Sequence, residues 1–151
     1  MLSMVGAIET VKTIQDLNLV ENSKTMGHEL KERLKGIAGK YPHLIGDVRG
    51  RGLMLATEFC DSAGNALTDV CKAVQKQCLD RDLLLLTCSP SDNTIRWIPP
   101  LIVEQQQIDE AVSVFEDAMN IVNQEFESKL NTSSTSFSRN STKSPNKSST
   151  L

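Results

Sequence analysis

Apolar positions recur at three- and four-residue steps in several stretches of the chain and at two-residue steps between them. Val5, Ile8, Val11 and Ile14 or Leu17 predict a helix over residues 4–17. Met26, Leu30, Leu34 and Ile37 form one stripe over residues 21–40, with Lys31, Glu32, Lys35 and Lys40 off it; Tyr41 and Pro42 close this second helix. Residues 44–49 and 53–60 read as strands separated by Gly50 and Gly52. In the second, Leu53, Leu55, Thr57 and Phe59 alternate with Met54, Ala56 and Glu58. DSAGN at 61–65 is a turn, and Thr68 is placed to cap a helix from 69 to about 81 with Val70, Val74 and Cys78 (or Gln77) inside. Residues 83–87 are almost all apolar and fit a central strand covered on both faces. After the turn-rich CSPSDN, residues 94–98 form a last strand, which Pro99 and Pro100 end because proline has no N–H for a ladder. Ile108, Ala111 or Val112, Phe115, Ala118 or Met119, and Val122 then mark a helix from 104 to about 126.

The order ααββαββα predicts an α+β fold: a small, antiparallel-rich sheet of three or four strands with helices packed on one face, and a long C-terminal helix. Residues 1–20 read as a lead-in helix and 21–127 as the domain. Residues 128–151 read as a disordered tail, with nine Ser, four Thr, three Asn and no acid. Lys129, Arg139, Lys143 and Lys147 give the tail a charge of +4, so residues 1–127 carry −7 of the net −3. An acidic body argues against nucleic acid as a partner. Cys60, Cys71, Cys78 and Cys88 form no CxxC pair and have no histidine at zinc-ligand spacing, so they read as reduced thiols of a cytoplasmic protein without a metal. No window approaches the ~20 apolar residues of a membrane span.

The sequence has no GxGxxG or Walker loop, no HExxH and no GxSxG. His28 and His43 read as surface residues. Arg96 differs, because it interrupts an apolar strand, on a face with Thr94 and Ile98 and opposite Ile95 and Trp97. Buried there, a charge must be paired or hydrogen-bonded. Its planar guanidinium suits a carboxylate at a site; the alternative from spacing alone is a structural ion pair with a neighbouring Asp or Glu, such as Glu58 on the adjacent strand. Arg49, Gly50, Arg51 and Gly52 fit either a β-bulge with surface arginines or a contact with a second domain or subunit. A free-standing active site would have to draw on Glu58, Asp47 and Arg96.

Three blocks carry a resemblance: IGDVRGRGLMLATEF, RDLLLLTCSPSDNTIRWIPPLIV and a helix opening EQQQIDEAVSVFEDAM. Together with LVENSKTMGHELKERLKGIAGKYPHL, they resemble the C-terminal small domain of class-III aminotransferases, fold type I enzymes that depend on pyridoxal phosphate, over about residues 3–125. The loop before IRWIPPL looks most like the 4-aminobutyrate aminotransferase branch. The resemblance implies that Arg96 binds a substrate carboxylate or pairs with a large-domain glutamate. It also implies amino acid and 2-oxo acid substrates, a large cofactor-binding domain or full-length homologue as partner, and a homodimer. The family's cofactor lysine has no counterpart among Lys12, Lys24, Lys31, Lys35, Lys40, Lys72 and Lys76. The expectation is therefore the small-domain portion of a transaminase, inactive by itself, or a non-catalytic module that associates with a full-length homologue. A mitochondrial location would need a transit peptide upstream of Met1.

Overall fold

The computed structural model describes residues 2–138, and the side chains of residues 3–129. Helix α1 (Leu2–Asp16) gives way to α2 (Leu19–Lys40) at Asn18, which takes the left-handed conformation at φ 51° that an asparagine tolerates and a helix cannot continue through. Strands β1 (Ile45–Arg51) and β2 (Met54–Phe59) form a hairpin; α3 (Thr68–Leu79), β3 (Leu86–Cys88), β4 (Thr94–Trp97) and α4 (Gln105–Ser138) follow. The sheet is antiparallel throughout, in the order β1-β2-β4-β3. This is the expected α+β arrangement. Residues 128–138 of the segment expected to be a disordered tail continue α4 as helix, and residues from 139 onward lie outside the described residues.

The core lies between one face of the sheet and helices α2, α3 and α4. Leu55, Thr57 and Phe59 of β2 and Ile95 and Trp97 of β4 are buried there with Leu34, Val74, Phe115 and Met119. Each large apolar side chain buried in this way stabilises the fold by about 1.5–3 kcal/mol. The Trp97 ring meets Phe115 edge-on at 5.1 Å, and its indole N–H donates to Thr57 Oγ1 at 3.1 Å, so the polar atoms buried with it are satisfied. Polar contacts hold α4 across α2 and its exit: Arg33 reaches Asp109 at 2.7 Å, Lys40 pairs with Glu116, and Tyr41 bonds Asn120. His43 is half-buried and bonds Asn123 at 2.8 Å, a structural contact where a surface histidine was expected.

Several local expectations are corrected by long-range pairing. The apolar run at 83–87 is not a central strand. Only Leu86–Cys88 pairs, on β4 alone, and Leu84 and Leu86 are exposed. An apolar run records that a surface is needed, not which side of the sheet supplies it. Thr68 is the first residue of α3 and not its cap; Leu67 holds the cap position, and the Thr68 hydroxyl donates to Ser91 O at 2.6 Å. Gly50 lies inside β1, whereas the register irregularity falls between Ile45 and Asp47.

Gly52 turns the hairpin at φ 54°, where a side chain would be strained, and meets α2 through Gly27. A Cβ on Gly27 would sit 2.2 Å from the Gly52 carbonyl carbon and oxygen. Backbone cannot rotate away as a side chain can, so Gly27→Ala is expected to lower stability by about 1–3 kcal/mol, read as a reduced urea midpoint. Gly36→Ala, with nothing near its Cβ, provides the control and should not destabilise.

Burial pushes the Cys71 and Cys78 thiols up to about 12 from the usual 9.0. The folded state keeps both protonated while the unfolded chain ionises near 9.0, so above that pH the unfolded state binds fewer protons. Their contribution to stability is whole below pH 9.0 and declines towards pH 12. A thiol reagent at neutral pH should label half-buried Cys60 and Cys88 in the folded protein, and Cys71 and Cys78 only as it unfolds. Equal labelling of all four in the folded state would contradict this.

Candidate functional site

Strand alternation divides the sheet into a helix-covered face and an open face. Cross-strand partners share a face, so the register places Arg49, Ala56, Arg96 and Leu86 in one row of the open face, and Asp47, Glu58, Thr94 and Cys88 in the next. Ile95 and Trp97 point into the core on either side of Arg96, which fixes its side chain on the open face, where it is exposed. The expected buried charge is thus corrected: Arg96 lies on the face of β4 away from the helices and is exposed, although Thr94 on the same face is buried.

The expected partner is corrected as well. Glu58 pairs with Arg49, whose Nη1 also reaches Asp47 Oδ2 at 3.0 Å. The Glu58 carboxylate, then that of Asp47, holds the Arg49 guanidinium above its ordinary value. Glu58 lies diagonally across the hairpin from Arg49, and Asp47 precedes Arg49 by two residues on the same strand, whereas Arg96 stands opposite Ala56 and Leu86 and makes no ion pair with Glu58. Asp47, Glu58 and Arg96 therefore do not build a catalytic cluster. Among the described residues, no hydrogen bond or ion pair engages the Arg96 guanidinium. Thr94 Oγ1, two residues away, is buried with no hydrogen-bond partner among the described residues.

The surroundings of Arg96 are apolar. Met54, Leu84, Leu86 and Ile98 are all more than half exposed. A cavity of about 410 Å³ opens between the start of β3 and the end of β4, lined by Leu84, Leu86, Ile98 and Pro99, with Arg96 its charged residue. An arginine fork beside apolar walls can hold a carboxylate through two parallel N–H···O bonds, strengthened where water is excluded. The exposure of these leucines was not legible in the sequence, where they read as buried strand.

Of the hairpin residues singled out with Arg96, Arg49 is engaged by Glu58, Gly50 and Gly52 are packed against Leu55 and Ser23, and Arg51 is exposed. Among the described residues, no three His, Cys, Asp or Glu side chains cluster as metal ligands. No described lysine is buried, and those from Lys12 to Lys76 sit on helix surfaces. Lys12, Lys24, Lys35, Lys40, Lys72 and Lys76 pair with acids, and Lys31 donates to Gly50 O.

Comparison with known proteins bears directly on this arrangement. The family model for "Aminotransferase class-III" matches residues 1–119. The chain is 33% identical to the 4-aminobutyrate aminotransferase GabT of Escherichia coli over 75% of its own length and 27% of that protein. It is 33% identical to the acetylornithine aminotransferase of Nostoc over 77% of its length and 26% of that protein. A lysine aminotransferase structure from M. tuberculosis superposes with a TM-score of 0.70 at 29% identity, over 79% of this chain and 26% of that one. A transaminase from the marine bacterium Virgibacillus gives 0.72 at 30%, over 80% and 28%. The chain thus spans about a quarter of the length of the relatives it matches, and it belongs to the class-III aminotransferase family.

Proposed function

We propose that residues 21–127 are the C-terminal small domain of a pyridoxal phosphate-dependent transaminase that moves an amino group between an amino acid, 4-aminobutyrate- or ornithine-like, and a 2-oxo acid. In this reading the cofactor and its lysine belong to a large domain, and this chain supplies Arg96 as the carboxylate clamp and closes over the site. The observation that carries the proposal is the Arg96 guanidinium itself: exposed, without a partner among the described residues, and flanked by apolar side chains. A structural arginine would face an acid, as Arg49 does. Met54, Leu84, Leu86 and Ile98 suit a surface that a second domain covers, and so does the face of α1 where Met4, Val5, Ile8 and Val11 are exposed. The same surfaces suit a full-length homologue or a second copy, the dimer that the family reading implies.

Two measurements separate the parts of the proposal. Arg96→Gln should leave the urea midpoint of this chain within about 0.5 kcal/mol of the wild type, because an exposed, unpaired side chain contributes little to folding. The chain mixed alone with pyridoxal phosphate should show no saturable absorbance band and no turnover. When the chain is co-expressed with a class-III large domain, activity should appear with the wild type and fall at least about a hundredfold with Arg96→Gln, the loss expected for one charge-assisted bidentate contact. Equal activity of the two would overturn the clamp, and turnover by the chain alone would overturn the division of roles.

A further inference from the structure

A second cavity, of about 540 Å³, lies between α2 and the β1–β2 hairpin, on the side of the hairpin that faces the helices. Its charged lining is entirely basic, with Lys24 and Lys31 from α2 and Arg51 from the end of β1, and His28 of α2 lies among them. The three helical residues stand at i, i+4 and i+7, which puts them on one face of α2, a spacing already present in the sequence. The hairpin brings Arg51 to that face, because the Gly27–Gly52 backbone contact lets the turn lie directly on the helix. No carboxylate lines the cavity, although residues 1–127 carry a net charge of −7.

The donors in the cavity are only partly used. Lys31 Nζ donates to Gly50 O at 3.1 Å and has two further N–H bonds to give. Ser23 Oγ accepts from the Leu53 N–H at 3.3 Å, which leaves its own hydroxyl proton available. Arg51 has no hydrogen bond or ion pair among the described residues. Two acids lie at the margin. Glu21 pairs with Lys24 at 3.3 Å, with both side chains mostly exposed, and Glu32 pairs with Lys35, one turn beyond Lys31 on α2, and also lies near Lys31 and His28. Gly52 keeps the floor open, since a Cβ there would stand 2.7 Å from Ser23 Oγ.

We propose that this cavity is an anion site that takes the phosphate group of a phosphorylated small molecule. Lys24, Lys31, Arg51 and Ser23 line it from two elements, a donor set suited to a compact dianion with several acceptor oxygens. A volume of about 540 Å³ leaves room beside the phosphate for the rest of a small molecule.

The test is an amide NMR titration of the full chain with inorganic phosphate and with glycerol 3-phosphate, against sodium chloride at matched ionic strength. Saturable shifts are expected at Ser23, Gly27, Arg51 and Gly52, with glycerol 3-phosphate binding more tightly than inorganic phosphate and glycerol giving none. Lys24→Gln combined with Arg51→Gln, checked for folding by circular dichroism, should weaken binding at least about tenfold, whereas Glu21→Gln should strengthen it. Arg96→Gln should leave it unchanged. The proposal is overturned if chloride reproduces the shifts, if they centre on Arg96, if the double variant binds like the wild type, or if a polyglutamate peptide binds more tightly than glycerol 3-phosphate.

Discussion

Ile95 and Trp97 point from β4 into the helices, and the residue between them must point the other way. That constraint organises the domain. Trp97 is fixed by its edge-on contact with Phe115 and its hydrogen bond to Thr57, so neither the register nor the facing of β4 can slip without losing both. A slip of one residue would drive Arg96 into the core, at a cost of several kcal/mol for an unpaired buried charge. The same packing that stabilises the fold therefore presents one guanidinium on the opposite face.

The two faces of the sheet carry different chemistry for a related reason. On the open face Arg49 is neutralised by Glu58, diagonally across the hairpin, and by Asp47 on its own strand, while Arg96, on the other side of β2, has Ala56 and Leu86 opposite and no acid paired with it. On the covered face, helix α2 lies against the hairpin turn with no side chain between Gly27 and Gly52. That contact gathers basic residues distant in the chain into one cavity. A glycine pair that looked like a bulge or an interface in the sequence has a packing role first, and leaves Arg51 as the hairpin residue available to a ligand.

Helices α2 and α4 were legible from their apolar stripes, as was the hairpin from its alternation and glycines. The boundaries moved by only a few residues, apart from α4, whose described helix continues beyond the stripe that announced it. The strand at 83–87 was misplaced because a continuous apolar run is equally suited to a covered central strand and to an edge strand beside an open apolar face. Thr68 was misread because a hydroxyl that could cap its own helix found Ser91 O instead, 23 residues away.

The identity of Arg96 as an odd charge in an apolar strand was visible in the primary structure, together with the α+β order of elements and the family to which they belong. These depend on spacing and turn chemistry among near neighbours. Which acid pairs with which arginine, which strand lies at the edge, and where Lys24, His28, Lys31 and Arg51 converge were settled only by tertiary structure. Each of those depends on the order in which strands pair and on how closely a helix and a hairpin approach, and such contacts join residues whose separation along the chain carries no record of their meeting.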